Sequence, residues 1–315
     1  MIYYNVKETA ELWKISPQMV RRLCLDGRVT GAVLTDKGWI IPDFAEKPDK
    51  LDSEAEITLP DFTRKLQSQK RNRKNYHGLY DAVQINLTYS SSRMASNRLT
   101  RDQVEHIFKK GKLIGKFEPT KVSDCIEVLN HFLCVDHIID HAMDPLDVKM
   151  IRRLHYLLMY GSVDARLKRV SPGEFRTGPL VQKGRNGVNA SEITRELKSL
   201  LDDYSGIVQP DLSDILNLHV MFERIAPFRD GNGRVGRLLM FKECLRYGVD
   251  PFILHDKKRS VYLDGIKLWD NYRTRKILID LATDEQEDFK AMVTLCNLRS
   301  YNQYYQVDSD LKTIE

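Results

Sequence analysis

Apolar residues recur at three- and four-residue spacing over most of the chain beyond about residue 75, which is the pattern of amphipathic helices. Glycine and proline clusters separate the segments that show it. Helices are predicted at 81–91, 100–110, 123–142, 147–160, 191–204, 211–225, 234–247 and 284–305. The short, glycine-rich stretch from Phe175 to Val188 favours a hairpin instead. This part of the chain is therefore predicted to be all-α with one small β-hairpin.

The first 42 residues have a different pattern, which predicts two short helices followed by two short strands. The elements expected, in chain order, are helices at 6–13 and 17–25 and strands at 29–34 and 38–42. Ser16 suits the N-cap of the second helix, and Pro17 suits its first position. Helix, turn, helix and hairpin is the plan of a winged helix-turn-helix, so residues 1–50 are expected to form a small domain of that kind.

Residues 43–75 are polar and lack periodicity, so 51–75 is expected to be a linker to a large domain at 76–315. Six basic residues lie within eleven positions that contain no acid, namely Arg64, Lys65, Lys70, Arg71, Arg73 and Lys74. Such a run can neutralise phosphates. Together with the winged helix-turn-helix pattern, this run makes duplex DNA one expected partner. Residues 1–42 would bind it through Gln18, Arg21 and Arg22. The alternative is a helical cap that contacts no DNA.

Composition narrows the class of protein further. The net charge of +5 over 315 residues does not by itself imply nucleic acid. The apolar runs are too short to span a bilayer, and the N-terminus lacks the pattern of a secretory signal. Five dispersed cysteines favour reduced thiols over a zinc site or a disulfide framework. The expectation is a cytoplasmic protein without a membrane partner.

The clearest candidate for chemistry is the stretch FRDGNGRVGRLL, which begins at Phe228. Its Gly-Asn-Gly sequence permits positive φ, so successive N–H groups can converge on an anion at the start of the next helix. Arg234 and Arg237 share a helix face and can both contact phosphate, while Asp230 is placed to hold a divalent cation. These features predict a cradle for a nucleotide di- or triphosphate. The alternative is a glycine-rich turn with surface arginines.

This stretch resembles the Fic family signature, H-P-F-x-(D/E)-G-N-G-R-x-x-R, from Pro227 to Arg237. The resemblance extends over about 76–305 and includes SPGEFRTG at 171–178 and KKRSVYLDGI at 257–266. It implies an all-α Fic fold with a β-hairpin flap. It also implies an enzyme that uses ATP and Mg²⁺ and transfers AMP to a hydroxyl side chain of a target protein, which can be the enzyme itself.

The resemblance implies a role for each matching residue. Asp230 would hold Mg²⁺, and the anion hole would comprise Gly231, Asn232 and Gly233. Arg234 and Arg237 would hold the distal phosphates, and the second arginine favours AMP transfer over the reaction of the kinase-like Doc branch, which lacks it. Tyr262 matches an aromatic residue near the nucleotide, although core packing explains it equally well. The flap that receives the target would comprise Leu180, Val181, Gln182 and Lys183.

Position 226 departs from the family pattern. The family has a histidine there, which acts as the general base for the target hydroxyl, and this chain has Ala226. General-base catalysis contributes on the order of 10²–10⁴-fold in rate. Because alanine cannot accept a proton, the chain is expected to bind the nucleotide and to transfer it poorly or not at all.

A second departure lies in YSSSRMASNRLT, residues 89–100, which resembles the inhibitory helix of self-regulated Fic proteins. The positions concerned are Ser91, Ser92, Ala95, Ser96 and Asn97. In the family a glutamate at position 95 pairs with the second arginine, so Ala95 is expected to leave Arg237 free and to relieve autoinhibition. The alternative is a helix that only packs on the core. The two alanines fit either two introduced substitutions, His→Ala and Glu→Ala, or a natural pseudoenzyme.

Two other functions stay open at this point. One is a DNA-binding or toxin–antitoxin-type regulator that uses its Fic domain as a nucleotide sensor. The other is a transferase for a different nucleotide or phosphate-bearing group, since an anion cradle does not read the base. A homodimer is also left open.

Overall fold

The computed structural model describes residues 3–25, 29–35, 38–47, 60–72, 78–115, 121–180 and 187–311, with only the backbone described for Arg22, Leu25 and 298–311. Two compact units divide the chain. One comprises residues 1–56 and 195–209, and the other comprises 57–194 and 210–315. Among the described residues, no helix combines the length and the apolar character needed to span a bilayer.

The part of the N-terminal unit within residues 1–56 contains a three-stranded antiparallel sheet and two short helices. Its elements are β1 (Tyr3–Asn5), α1 (Val6–Trp13), α2 (Pro17–Leu25), β2 (Val33–Thr35) and β3 (Gly38–Pro42). β3 is the central strand, with Tyr3 of β1 opposite Pro42 and Val33 of β2 opposite Ile40. The sequence pattern predicts both helices and the hairpin but not β1.

Local hydrogen bonds explain where these elements begin. Asn5 caps α1 in a capping box with Glu8. Ser16 Oγ accepts the amide of Met19 at 3.1 Å, which confirms the predicted cap of α2. The predicted strand at 29–34 is wrong in its first half, because Gly31 has a φ of 78° and the Ala32 amide donates to Val29 O. A turn therefore precedes β2.

The second unit is helical. Its helices are α3 (Asp61–Arg71), α4 (Leu79–Met94), α5 (Arg101–Lys110), α6 (Val122–Asp140), α7 (Val148–Met159), α8 (Val163–Arg166), α10 (Leu212–Ile225), α11 (Asn232–Tyr247), α12 (Arg259–Lys267) and α13 (Tyr272–Leu311). α9 (Ile193–Ser205) starts in this unit and continues into the N-terminal unit from Arg195 onward. The predicted helices are confirmed, with ends that differ by a few residues. α13 is the exception and begins twelve residues earlier than predicted.

α3 forms inside the segment that the sequence predicts to be a linker. Leu66 and Thr63 on one face of α3 are completely buried, and Thr63 Oγ1 donates to Leu245 O at 2.6 Å. Lys70 pairs with Asp140 at 2.6 Å, and Lys65 contacts the side chain of Asn297. Part of the basic run therefore has partners within the protein. Arg73 and Lys74 lie outside the described residues.

The structure describes only part of the β-hairpin predicted at 175–188. Residues 175–180 and 187–188 form no strand. Of the four residues assigned to the flap, Leu180 is half-buried, while Val181, Gln182 and Lys183 lie outside the described residues. The hairpin stays a prediction.

α11 lies at the centre of the second unit. All its residues from Arg234 to Leu245 are buried, and it packs on α10, α6 and α7. α10 ends at Ile225, so the loop of residues 226–231 is held between two buried helices. This packing places the candidate loop at the N-terminal end of α11.

Candidate functional site

A cavity of about 410 Å³ opens at the N-terminal end of α11. It brings together the end of α4, the first turn of α11 with its preceding loop, one residue of α10, and α12. The lining residues are Met94, Ala95, Ser96, Glu223, Asp230, Gly231, Asn232, Gly233, Arg234, Arg237, Arg259, Tyr262 and Leu263. All six residues that the sequence analysis assigns to nucleotide binding therefore line one cavity.

The loop before α11 has the geometry of an anion-binding turn. Gly231 is the N-cap, with a φ of 81°, a left-handed conformation that glycine adopts without strain. Asn232 closes the loop, because its Oδ1 accepts the Phe228 amide at 2.9 Å and its Nδ2 donates to Phe228 O at 2.7 Å. The first amides of the helix lack partners within the helix and carry the positive end of its dipole. Asn232 thus shapes the loop with its side chain and can contact an anion through its backbone.

Gly233 leaves room where a side chain would collide with charged groups. A Cβ atom there would lie 2.9 Å from Glu223 Oε1 and 3.1 Å from Arg237 Nη1. The same two side chains line the cavity. Glycine at this position therefore allows charged groups to approach the first amides of α11 closely.

Arg234 is held by carboxylates on two sides. Its Nη1 lies 2.8 Å from Glu127 Oε1, and its Nη2 lies 3.2 Å from Asp230 Oδ2. Burial alone would lower the pKa of Arg234, but Glu127 and Asp230 outweigh burial and raise that pKa. The guanidinium is charged and fixed in place. Sequence analysis missed Glu127, because it lies more than a hundred positions before Arg234 and in no motif.

Arg237 is not free of the segment at 89–100, which corrects the expectation drawn from Ala95. Its Nη2 donates to Ser91 O at 2.9 Å, and its Nε donates to Ser91 Oγ at 3.1 Å. Arg237 Nη1 also lies 3.5 Å from the Tyr262 hydroxyl. α4 thus contacts the second arginine of the loop through Ser91, without a carboxylate at position 95.

The other residues assigned to this segment fall in different places. Ala95 and Ser96 line the cavity, whereas Ser92 and Asn97 are buried outside its lining. Asn97 Nδ2 donates to Asp124 O at 2.9 Å and to Glu127 Oε2 at 3.2 Å. Glu127 therefore links the turn after α4 to Arg234.

Tyr262 packs in the core and also lines the cavity, and its role toward a nucleotide stays a prediction. Its side chain is 2% exposed within a hydrophobic cluster, and it also lines the cavity. Its hydroxyl and His219 Nε2 share a hydrogen bond of 2.7 Å. Tyr262 is therefore a core residue whose polar end lies near the loop arginines.

His155 packs against the loop before α11, and no sequence pattern predicts this contact. Its ring stacks on Phe228 with a centroid distance of 3.7 Å. Nδ1 accepts the Gly173 amide at 2.9 Å, so Nε2 carries the proton and donates to Asp230 O at 3.2 Å. Burial lowers the pKa of His155 to about 4. The ring is therefore neutral and fixes the backbone of the candidate metal ligand Asp230.

The carboxylate of Asp230 is the candidate for holding a cation. Its Oδ1 accepts the Gly231 amide at 2.7 Å, and the side chain remains 44% exposed. Within the described ranges, no three His, Cys, Asp or Glu residues cluster as a metal site. A cation here would need ligands beyond the protein, which suits Mg²⁺ bound to one carboxylate and phosphate oxygens.

Ala226 is the C-cap of α10 and is buried outside the cavity lining. In the N-terminal unit, Gln18 and Arg21 are exposed on α2. The side chain of Arg22 lies outside the described residues.

Comparisons with known proteins agree on the fold. Residues 145–244 match the model of the Fic/DOC family. Curated relatives include the protein adenylyltransferases Fic of Drosophila willistoni, 27% identical over 187 residues, and of Drosophila melanogaster, 28% identical over 187 residues. Each match covers 57% of this chain and 36% of the relative, so the chain spans about a third of the length of these relatives.

Solved structures of similar fold cover more of the chain. A Fic domain containing signaling protein from Bacteroides thetaiotaomicron has a TM-score of 0.58 at 24% identity and covers 74% of this chain and 94% of its own. Fic-1 from C. elegans has a TM-score of 0.55 at 16% identity and covers 73% and 70%. The chain therefore has the Fic fold over most of its length, with the Fic/DOC family match at residues 145–244.

Proposed function

We propose that the site binds ATP with Mg²⁺, and that its parent activity is the transfer of AMP to a hydroxyl side chain of a target protein. The observation that carries this proposal is the convergence of the Gly231 turn, Arg234 and Arg237 on one cavity. The relatives named protein adenylyltransferases support the class of reaction.

The chemistry of the cavity fits a polyphosphate. Three guanidinium groups, those of Arg234, Arg237 and Arg259, line it beside the first amides of α11. ATP would supply an activated phosphoanhydride, and these groups would bind and orient it. Arg237 would exchange its contact with Ser91 for a phosphate oxygen. The carboxylate of Asp230 would face the cation.

Position 226, where the resemblance places the general base, holds an alanine in this chain. Ala226 accepts no proton, and none of the cavity-lining residues is a histidine. The buried His155 uses both ring nitrogens in hydrogen bonds behind the loop, and His219 bonds to Tyr262. We therefore infer a nucleotide-binding form in which transfer is lost or very slow.

Mass spectrometry of a lysate incubated with ATP and the Ala226→His variant tests the reaction class. The expected result is an AMP mass on tyrosine, threonine or serine of the variant itself or of a lysate protein. Ala226→Asn is the matched control, because its amide has polar atoms but no basic nitrogen. No AMP transfer by Ala226→His would refute the transferase.

A DNA-binding regulator is the second candidate, and the N-terminal unit supports it. There a three-stranded antiparallel sheet accompanies α1 and α2, as in a winged helix-turn-helix, and α2 exposes Gln18 and Arg21. Shift assays of the full chain with promoter DNA, with and without ATP, test it. The expected binding weakens steeply as salt rises. Absence of DNA binding at low salt would contradict the DNA-binding regulator. DNA binding that depends on ATP would favour a regulator that uses its Fic domain as a nucleotide sensor.

A further inference from the structure

Arg176 is a buried arginine whose side chain donates to four backbone carbonyls in the described structure, two of them at residues 225 and 226. Its Nε donates to Ala226 O at 2.8 Å, and its Nη2 donates to Ile225 O at 3.4 Å. The Arg176 amide also donates to Pro227 O at 2.9 Å. One residue therefore holds three successive carbonyls, from the last residue of α10 to Pro227.

The backbone at residue 226 needs such a restraint. Ala226 has φ 47° and ψ 64°, which is the left-handed conformation. This conformation is unfavourable in free energy for a residue that has a Cβ atom. It follows the last turn of α10, whose final carbonyls have no amide partners within the helix. The Arg176 guanidinium supplies donors and a positive charge at this end of α10, where the helix dipole favours both.

The same guanidinium contacts the described ends of the segment between Gly178 and Val188. Nη1 donates to Gly178 O at 2.9 Å, and Nη2 contacts Val188 O. At Gly187, a Cβ atom would lie 2.6 Å from Arg176 Nη2 and 3.2 Å from the Cβ of Ala226. The Arg176 guanidinium therefore fixes the positions of Gly178 and Val188 relative to residue 226.

We propose that Arg176 is a positioning residue that fixes the direction of the side chain at position 226 and holds the ends of segment 178–188 against it. The proposal rests on the proposed function in so far as position 226 is where the general base would stand. A planar guanidinium reaches all four carbonyls at fixed angles, which a lysine ammonium on a flexible stem does not.

Methyl NMR with ¹³C-methyl-labelled alanine tests the positioning directly in the protein as it is. The Ala226 signal is identified by its absence from Ala226→Gly. In Arg176→Lys and Arg176→Met, it should shift, broaden or split while the methyl signals of the distant Ala10 and Ala282 stay in place. An Ala226 signal unchanged in both folded variants would overturn the proposal.

A second pair of variants keeps the test available if Arg176→Met does not fold. Gly187→Ala places a methyl group against Nη2 and should move the Ala226 signal. Gly178→Ala is the matched control, because among the described residues none but its chain neighbours has an atom within 4 Å of the added Cβ, and it should leave that signal in place. Equal effects of the two variants would contradict the role of the guanidinium.

Kinetics separate this proposal from the proposed function. Added to Ala226→His, Arg176→Lys should lower kcat for AMP transfer by about 10- to 100-fold and leave the KM for ATP nearly unchanged, because a misplaced base slows the step without weakening nucleotide binding. An unchanged kcat would overturn the positioning role. If Ala226→His alone transfers no AMP, the proposed function fails, and the NMR result still decides on Arg176.

Discussion

Arg237 caps the C-terminal end of α4 by donating from Nη2 to Ser91 O at 2.9 Å and from Nε to Ser91 Oγ at 3.1 Å. The carbonyl of Ser91 lies in the last turn of the helix, and the amide of Ala95 bonds to Ser92 O instead. α4 therefore restrains Arg237 although position 95 has no carboxylate. A ligand that uses Arg237 has to compete with this contact.

Removing part of this contact should strengthen nucleotide binding. Ser91→Ala deletes the Oγ acceptor and keeps the carbonyl contact, so ATP affinity should rise by about 2- to 10-fold, the worth of one hydrogen bond. Calorimetric titration with ATP-Mg²⁺ measures it. Ser92→Ala is the control, because the neighbouring buried serine makes no contact with Arg237 in the described structure. Equal affinities for both variants would show that Ser91 does not compete with the nucleotide.

Introducing a carboxylate at position 95 should have the opposite effect. Ala95 lines the same cavity as Arg237, so Ala95→Glu can place a charge-assisted partner against the guanidinium. Such a pair is worth about 1.5–3 kcal/mol, which predicts a loss of roughly ten- to a hundred-fold in AMP transfer by Ala226→His. Ala95→Gln is the uncharged control. If Ala95→Glu changes nothing, residues 89–100 form only a packing segment.

Arg237→Ala should weaken ATP binding more than AMP binding, because the resemblance assigns Arg237 to the distal phosphates. Each nucleotide is titrated against the variant and the unaltered protein under the same conditions. Arg101→Ala, a surface arginine of α5 paired with Glu105, is the control for loss of one positive charge. Equal losses for the two nucleotides would assign Arg237 to a different part of the ligand.

Protein stability should fall between pH 6.5 and pH 4, in part through His155. Because burial lowers its folded-state pKa from the ordinary histidine value of 6.5 to about 4, the unfolded chain binds a proton first as the pH falls. At pH 4 this shift corresponds to about 3 kcal/mol in the free energy of unfolding. That stabilisation is present at neutral pH and is lost on acidification. His155→Gln removes the titration, and urea unfolding at several pH values should show a shallower fall. The half-buried His106→Gln is the control, and equal slopes for the two variants would contradict this origin.

Short-range signals account for what could be predicted from the sequence. Thr100 and Gln103 form the capping box that starts α5, and Asp211 caps α10, so local chemistry marks both helix starts. The motif of glycines and arginines at fixed offsets likewise predicted six residues of the cavity lining, from Asp230 to Arg237. β1 has only three residues and is defined by its pairing with β3, a partner distant in sequence.

The residues that hold the site together could not be predicted in the same way. Ser91 and Arg237 are 146 positions apart, and the main contact is to a backbone carbonyl, which any residue provides. The acceptors of Arg176 are carbonyls too, and Glu127 meets Arg234 only because α6 packs on α11. Contacts of this kind depend on tertiary packing and leave no periodic signal in the chain.

Calorimetry of the unaltered protein with ATP-Mg²⁺ tests the central claim most directly, because nucleotide binding needs no base at position 226. The account predicts saturable binding that is lost in Gly233→Val, since a side chain there would meet Glu223 Oε1 at 2.9 Å and Arg237 Nη1 at 3.1 Å. Absence of binding by the folded, unaltered protein at millimolar ATP-Mg²⁺ would contradict it.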